Sequence, residues 1–273
     1  SILPSLVLSV GVSLMIALQP AELTADDGFR VDTKISREGS SELLSKTTSL
    51  FFGGIAYDFQ DADITIIDPA SDKITCVHLG TKLRMEIKIS ALEDLIPRAE
   101  EQAKFGKAAA FLASAKQIRR EEHLVAVGEG GPLAYVATFQ RPDDTTQAAA
   151  FAKAYQQFAD ASMLLNSFSR GANGAPPFAR LALNRELAAK NVLPKEITLT
   201  QGGGDPAVYN CDVRAVWSLS ANDQSKLLEL QRMKDTFQLV EPATYHARAE
   251  AARVAAQRAE AARVAAQPAA ANR

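Results

Sequence analysis

Cysteine is nearly absent: the 273 residues contain two, Cys76 and Cys211, so neither a disulfide-dense scaffold nor a cysteine-built zinc centre is available. Histidine is almost as scarce. His78, His123 and His246 stand far apart, and none has a metal-ligating neighbour at the spacing of a helix turn or a hairpin. An excess of one charge is missing too, because 30 basic side chains face 32 acidic ones and leave a net charge of −2. That balance excludes a nucleic-acid-sized electrostatic footprint for the chain as a whole. Catalytic signatures are equally sparse: there is no Gly-x-Ser-x-Gly elbow, no His-Glu-x-x-His, no P-loop and no strand-linked Gly-x-Gly-x-x-Gly. No nucleophile and base stand at a spacing that supports a hydrolase, so a non-enzymatic protein without a cofactor is expected. Hydrophobic residues at 47% and charged residues at 23% are ordinary for a globular fold, and argue against wholesale disorder or a multi-span membrane protein.

What is present begins with an apolar leader. Ile2 to Leu18 carries no charge and twelve of its seventeen residues are apolar, the length of a signal-peptide core or a minimal membrane helix. Pro20 ends the run, and Leu23 with Ala25 offers a cleavage site. Residues 1–25 are therefore expected to be a signal peptide or an N-terminal apolar anchor, and the protein to be exported to the periplasm or cell envelope. Ser5, Ser9 and Ser13 would lie on one helix face if the segment stayed in a membrane.

At the other end, RAEAARVAAQ at 248–257 is repeated unchanged at 258–267. Alanine, arginine, glutamate and glutamine favour helix, and Glu250 with Arg253 stands one turn apart. Arginines spaced by five advance about 140° per step, so they spiral instead of forming a stripe, and no coiled-coil seam results. Residues 246–273 are expected as an Ala/Arg-rich helical tail, either solvated or used to bind a partner protein. The tail carries +3 and the remainder −5 (five arginines against two glutamates, from a total of −2).

Between residues 26 and 245 the dominant signal is period-two alternation, the mark of strands with one buried face. Leu83, Met85, Ile87 and Ile89 alternate with Lys82, Arg84, Glu86 and Lys88. Tyr209, Cys211, Val213, Ala215, Trp217 and Leu219 alternate with Asn210, Asp212, Arg214 and Ser218. Shorter strands are expected at 29–35, 50–59, 63–67, 74–79, 124–127, 134–139 and 196–200, eight or nine in all. Gly53-Gly54 inside the 50–59 segment suggests a bulge or a sharp bend that lets the sheet curl. Helices are expected from Ser90, with Pro97 as a break, from Phe105 to Arg120, from a cap at Asp144 to a stop at Gly171, from Pro176-Pro177 to Asn191, and after a cap at Ser220 to Asp223. Together these give one α+β domain at 26–245, a curved antiparallel sheet with helices packed on its concave face.

Few side chains suggest chemistry. Asp61, Asp63, Asp68 and Asp72 cluster without the glycine and terminal glutamate of a calcium loop. Gly202-Gly203-Gly204 would cradle an anion only if a helix followed, and a strand is expected there. His78 shares a face with Ile74 and Cys76 and is expected to be structural. Cys76 and Cys211 are a disulfide candidate if their Cα atoms come within about 7 Å, and otherwise two buried thiols. A one-sided curved sheet presents an apolar face that a ligand or a helix must cover, and the residues expected to line it are Tyr57, Phe59, Leu83, Met85, Ile87, Val213 and Trp217.

Ile64-Thr65-Ile66-Ile67-Asp68-Pro69, then Lys73 to Leu79, then Lys82 to Ser90, together with Pro176-Pro177-Phe178-Ala179-Arg180-Leu181-Ala182-Leu183-Asn184, resembles exported bacterial members of the lipoprotein-carrier (LolA-like) superfamily. The resemblance covers about two thirds of the chain at pattern level; the tail and two extra helices depart from it. It implies a half-barrel whose concave apolar face, closed by helices, holds a lipid, an acyl chain or another apolar group. The alternative is a structural or assembly subunit of an envelope complex that docks through its N-terminal helix and its tail.

Overall fold

The structure, a computed structural model, describes residues 28–106, 108–170, 175–202 and 206–266. The expected leader at 1–25, the helix stop at Gly171, most of the glycine loop and the chain end after 266 lie outside the described residues.

The alternating segments form a single unclosed sheet of twelve strands, built from two antiparallel meanders. The first runs through β1 (Phe29–Arg37), β2 (Leu43–Phe52), β3 (Ile55–Gln60), β4 (Asp63–Asp68), β5 (Lys73–His78) and β6 (Leu83–Lys88). The second comprises β7 (Ile118–Arg120), β8 (Leu124–Val127), β9 (Leu133–Gln140), β10 (Leu193–Gln201) and β11 (Ala207–Val216). β1 pairs with β11, with Thr33 opposite Val213, and so joins them. A short β12 (Gln238–Leu239) adds a parallel pairing beside β6, the only one among the described residues. The α+β class with a large, mostly antiparallel sheet is therefore as the sequence implies.

Seven α-helices are described: α1 (Ile89–Glu93), α2 (Leu95–Ala103), α3 (Ala108–Ser114), α4 (Thr145–Arg170), α5 (Phe178–Ala189), α6 (Ala221–Met233) and α7 (Pro242–Ala266). The start of α4 follows its sequence: Asp144 Oδ1 accepts from both the backbone N and the hydroxyl of Thr146. α6 opens with a complete capping box, Ser220 and Asp223 each bonding the other's backbone N–H. α5 ends with Asn191 at φ 53°, the left-handed closure that asparagine tolerates.

Two expectations about elements fail for local reasons. Residues 50–59 are not one bent strand: Gly53 and Gly54 have φ 60° and 77° and make a two-residue hairpin turn between β2 and β3, which needs positive φ at both positions. The helix expected from Phe105 to Arg120 stops at Ser114, and Ile118–Arg120 pairs with β8 as the edge strand β7. The helix that carries the repeated tail, α7, starts at Pro242, and its Tyr245 and Ala249 are buried in the main core.

The helices do not share one face. Strand alternation sends Phe51, Ala56, Ile67, Ile74 and Cys76 to the side where α4, α5 and the start of α7 pack. Leu50, Tyr57, Ile64, Ile66 and Val77 point the other way, into a second cluster with Leu227 and Leu230 of α6 and with Phe237. Placement of all the helices on one concave face is thus corrected: α6 covers the opposite face of β2 to β5, because these strands are apolar at successive positions and have two faces to bury. The centre of the main layer is aromatic. Phe29 stacks on Phe51 at 4.1 Å and meets Phe151 of α4 at 4.6 Å, and Phe151 stacks on Trp217 at 5.9 Å.

Candidate functional site

A cavity of about 500 Å³ lies between α4, α5 and the sheet where the two meanders join. Its floor is Thr33 and Ile35 of β1, Thr47 and Ser49 of β2, Tyr135 of β9, Ile197 and Leu199 of β10, and Tyr209 and Cys211 of β11. Alternation in paired strands puts these on one side: Ile35 faces Cys211, Cys211 faces Ile197, and Leu199 faces both Tyr209 and Tyr135. The roof is Tyr155, Phe158, Ser162, Met163 and Asn166 along α4, spaced by the helical repeat, with Arg180 from the first turn of α5.

Arg180 is the only charged side chain among the described residues that line this cavity. Its guanidinium carbon stands 5.9 Å from the centroid of the Tyr135 ring. No carboxylate of a described residue lies within ion-pair distance of it. Its field is visible on its neighbours. Burial pushes the Tyr155 phenol up to about 12 and raises those of Tyr135 and the Cys211 thiol, and in each case Arg180 pulls the other way. Asp160, raised by burial, feels the same opposing pull, and its Oδ1 accepts from Asn184 Nδ2 at 2.8 Å, tying α4 to α5. The arrangement is an apolar and hydroxyl-lined chamber with one cation on its wall.

The seven residues expected to line an apolar ligand site do not meet there. Leu83, Met85 and Val213 are buried in the main core, Ile87 packs against it, and Trp217 stacks on Phe151. Tyr57 and Phe59 lie on the opposite face beneath α6, where Phe59 also borders a separate cavity of about 340 Å³. The physical reason is the parity of the strands: the face of β3 bearing Tyr57 and Phe59 is not the face of β6 bearing Leu83 and Met85. Cys211 alone of the named site residues lines the larger cavity.

The disulfide expectation is also corrected. Both cysteines are free, Cys76 on β5 and Cys211 on β11, with β4, β3, β2 and β1 between them in the sheet. Five inter-strand steps amount to about 24 Å, far beyond the reach of a bridge. The aspartate cluster dissolves into local turns and caps. Asp68 Oδ1 accepts from Ser71 N, both carboxylate oxygens of Asp72 accept from Ser90, and Asp63 takes part in contacts to Tyr245 and Arg253. Among the described residues no group of three or more His, Cys, Asp or Glu side chains could hold a metal ion. His78 is the structural histidine expected, its Nδ1 accepting from Thr81 N at 3.1 Å.

Arg180 had a sequence signal, a single cation inside the apolar run Phe178-Ala179-x-Leu181-Ala182-Leu183. Its partners had none, since Tyr135 and Tyr155 reach it only through tertiary packing. No protein-family model matches the chain, and a search of curated proteins returns no match. Among the described residues no helix is long and apolar enough to cross a membrane.

Proposed function

We propose that the protein is a non-enzymatic binding module that holds a small amphipathic molecule in the cavity beneath α4 and α5. The observation that carries this reading is the chamber of about 500 Å³ at the junction of the two meanders, larger than the cavity of about 270 Å³ that α4 and the β2–β3 turn line in the same layer. Ligand sites have volumes of roughly 300–1,000 Å³, a mainly apolar lining and a few converging polar groups. The finer architectural proposal is a LolA-like half-barrel curling around α4, with the apolar leader marking an envelope protein. In that fold the ligand sits further from β6 than the sequence alone suggests.

Cys211 supplies the test. Its thiol lines the chamber, so a maleimide should label it slowly in the purified protein and more slowly still when a ligand is present. Native mass spectrometry of purified protein should show a small-molecule adduct that solvent extraction removes. An adduct-free protein whose Cys211 labelling is indifferent to decanol and decanoate would sink the reading.

Assembly is the second reading, and one observation favours it: Ala249 is the last buried residue described in α7, and residues 255–259 further along the helix are all exposed. Removing residues 255–273 should leave the melting temperature unchanged but abolish a co-purifying partner; an unchanged elution profile counts against it.

A further inference from the structure

Resting on the binding-module reading, we infer that the cavity selects an amphiphile with an oxyanion head, a carboxylate or a phosphate monoester, bound at Arg180 with its apolar tail along α4. Arg180 is the one charge on the lining among the described residues, and none of their carboxylates neutralises it at contact distance. A guanidinium held in a half-dry chamber keeps its charge and presents a planar fork of donors, which suits a two-oxygen anion. Such charge-assisted bonds are about twice as strong as neutral ones.

Three further features support the polarity of the site. The Tyr135 ring, its centroid 5.9 Å from the guanidinium carbon, favours this placement of the cation, so less side-chain freedom is lost when an anion docks. Arg180 sits in the first turn of α5, whose N-terminus has no side-chain cap, and Ala175 just before that turn lines the chamber. The positive end of the helix dipole therefore adds to the arginine's field. Hydroxyl groups of Ser162 and Thr47 offer further donors, and Ile35, Ile197, Leu199, Phe158 and Met163 leave an apolar path for a chain.

The inference predicts discrimination that an apolar pocket would not show. Calorimetric titration of the full chain with decanoate, monodecyl phosphate, 1-decanol and decyltrimethylammonium compares four heads on one tail. Decanoate or decyl phosphate should bind at least tenfold more tightly than decanol, and the cation should bind worst; whichever anion is tighter identifies the head. Arg180→Gln should lower anion affinity about tenfold or more while leaving decanol affinity within twofold, and Arg180→Lys should recover part of the loss. The discrimination among heads is read on the unaltered protein, so it survives if a variant fails to fold. Equal binding of decanoate and decanol would overturn the anion assignment and leave the binding module standing. No binding of any of the four would overturn both.

Discussion

Asp58 is a half-buried carboxylate whose environment is at odds with its chemistry. It lies on β3 on the side of the main core, and its one hydrogen bond comes from Ser49 Oγ, donating to Oδ1 at 2.6 Å. Burial raises its carboxyl above the usual carboxylate range, and the Ser49 bond only partly offsets that. A raised folded-state value means that the native protein holds the proton more tightly than the unfolded chain does. Stability is then fully present below the unfolded value of about 4 and is lost as pH rises through the raised folded value. Asp58→Asn keeps an acceptor for Ser49 without the buried charge, so the variant should melt above the parent at pH 7. The difference should vanish near pH 3.5. Thermal melts at the two pH values check this, and a less stable variant at pH 7 would refute the assignment.

Met85 answers the question of what the expected apolar face does. It is 1% exposed on β6, opposite Cys76 of β5. Met85→Ala should cost about 2–5 kcal/mol by opening a hole in a packed core. It should leave affinity for decanoate unchanged. Chemical denaturation gives the first quantity, and a loss below about 1 kcal/mol would return Met85 to the ligand wall.

At the scale of elements, α6 is the helix whose position the alternation signal did not disclose. Its start was legible, because Ser220 and Asp223 have capping-box spacing, and its apolar positions Leu227 and Leu230 were legible as a stripe. The face it would cover was not. Both faces of β2 to β5 carry large apolar residues, Phe51 and Leu50 being neighbours in the chain and in opposite cores, and the period alone does not say which face a distant helix takes. Glycine chemistry was similarly ambiguous, since Gly53-Gly54 suits a bulge and a tight hairpin alike. Ile118–Arg120 was hidden for another reason: three residues are too few for any period, and the strand is fixed by β8 and by Arg120 bonding Glu186 of α5. The strongest strands, β6 and β11, were legible because their alternation is long and one-sided.

The capping box then makes a quantitative expectation. Ser220 Oγ both accepts from Asp223 N and donates to Asp223 Oδ2 at 2.7 Å, and Arg30 adds an ion pair to the buried Asp223. Ser220→Ala removes the cap and strips a donor from that carboxylate. A loss of about 1–2 kcal/mol is expected from a urea melt, with no effect on ligand binding because α6 lies on the opposite face from the cavity.

Across the whole molecule, the sheet's order decides the state of the two thiols. Two cysteines on separate strands invite a bridge, and sequence separation places no obstacle to one. The topology does, because β1 joins the two meanders and so sets Cys76 within the first and Cys211 within the second, with four strands between. Each thiol also has its own reason to stay unreactive. Burial pushes Cys76 up to about 12, under the side chain of Tyr245 from α7, and burial raises Cys211 at the cavity wall. The two should therefore behave independently: dithiothreitol should leave the melting temperature unchanged, and a thiol count in denaturant should return both as free. Removing α7 from Pro242 onward should accelerate labelling of Cys76 while leaving Cys211 as it was, whereas a ligand in the chamber should slow Cys211 and leave Cys76 alone. If reduction lowered the melting temperature, or if the ligand protected both cysteines equally, the strand order that separates the α7 region from the cavity would have to be redrawn.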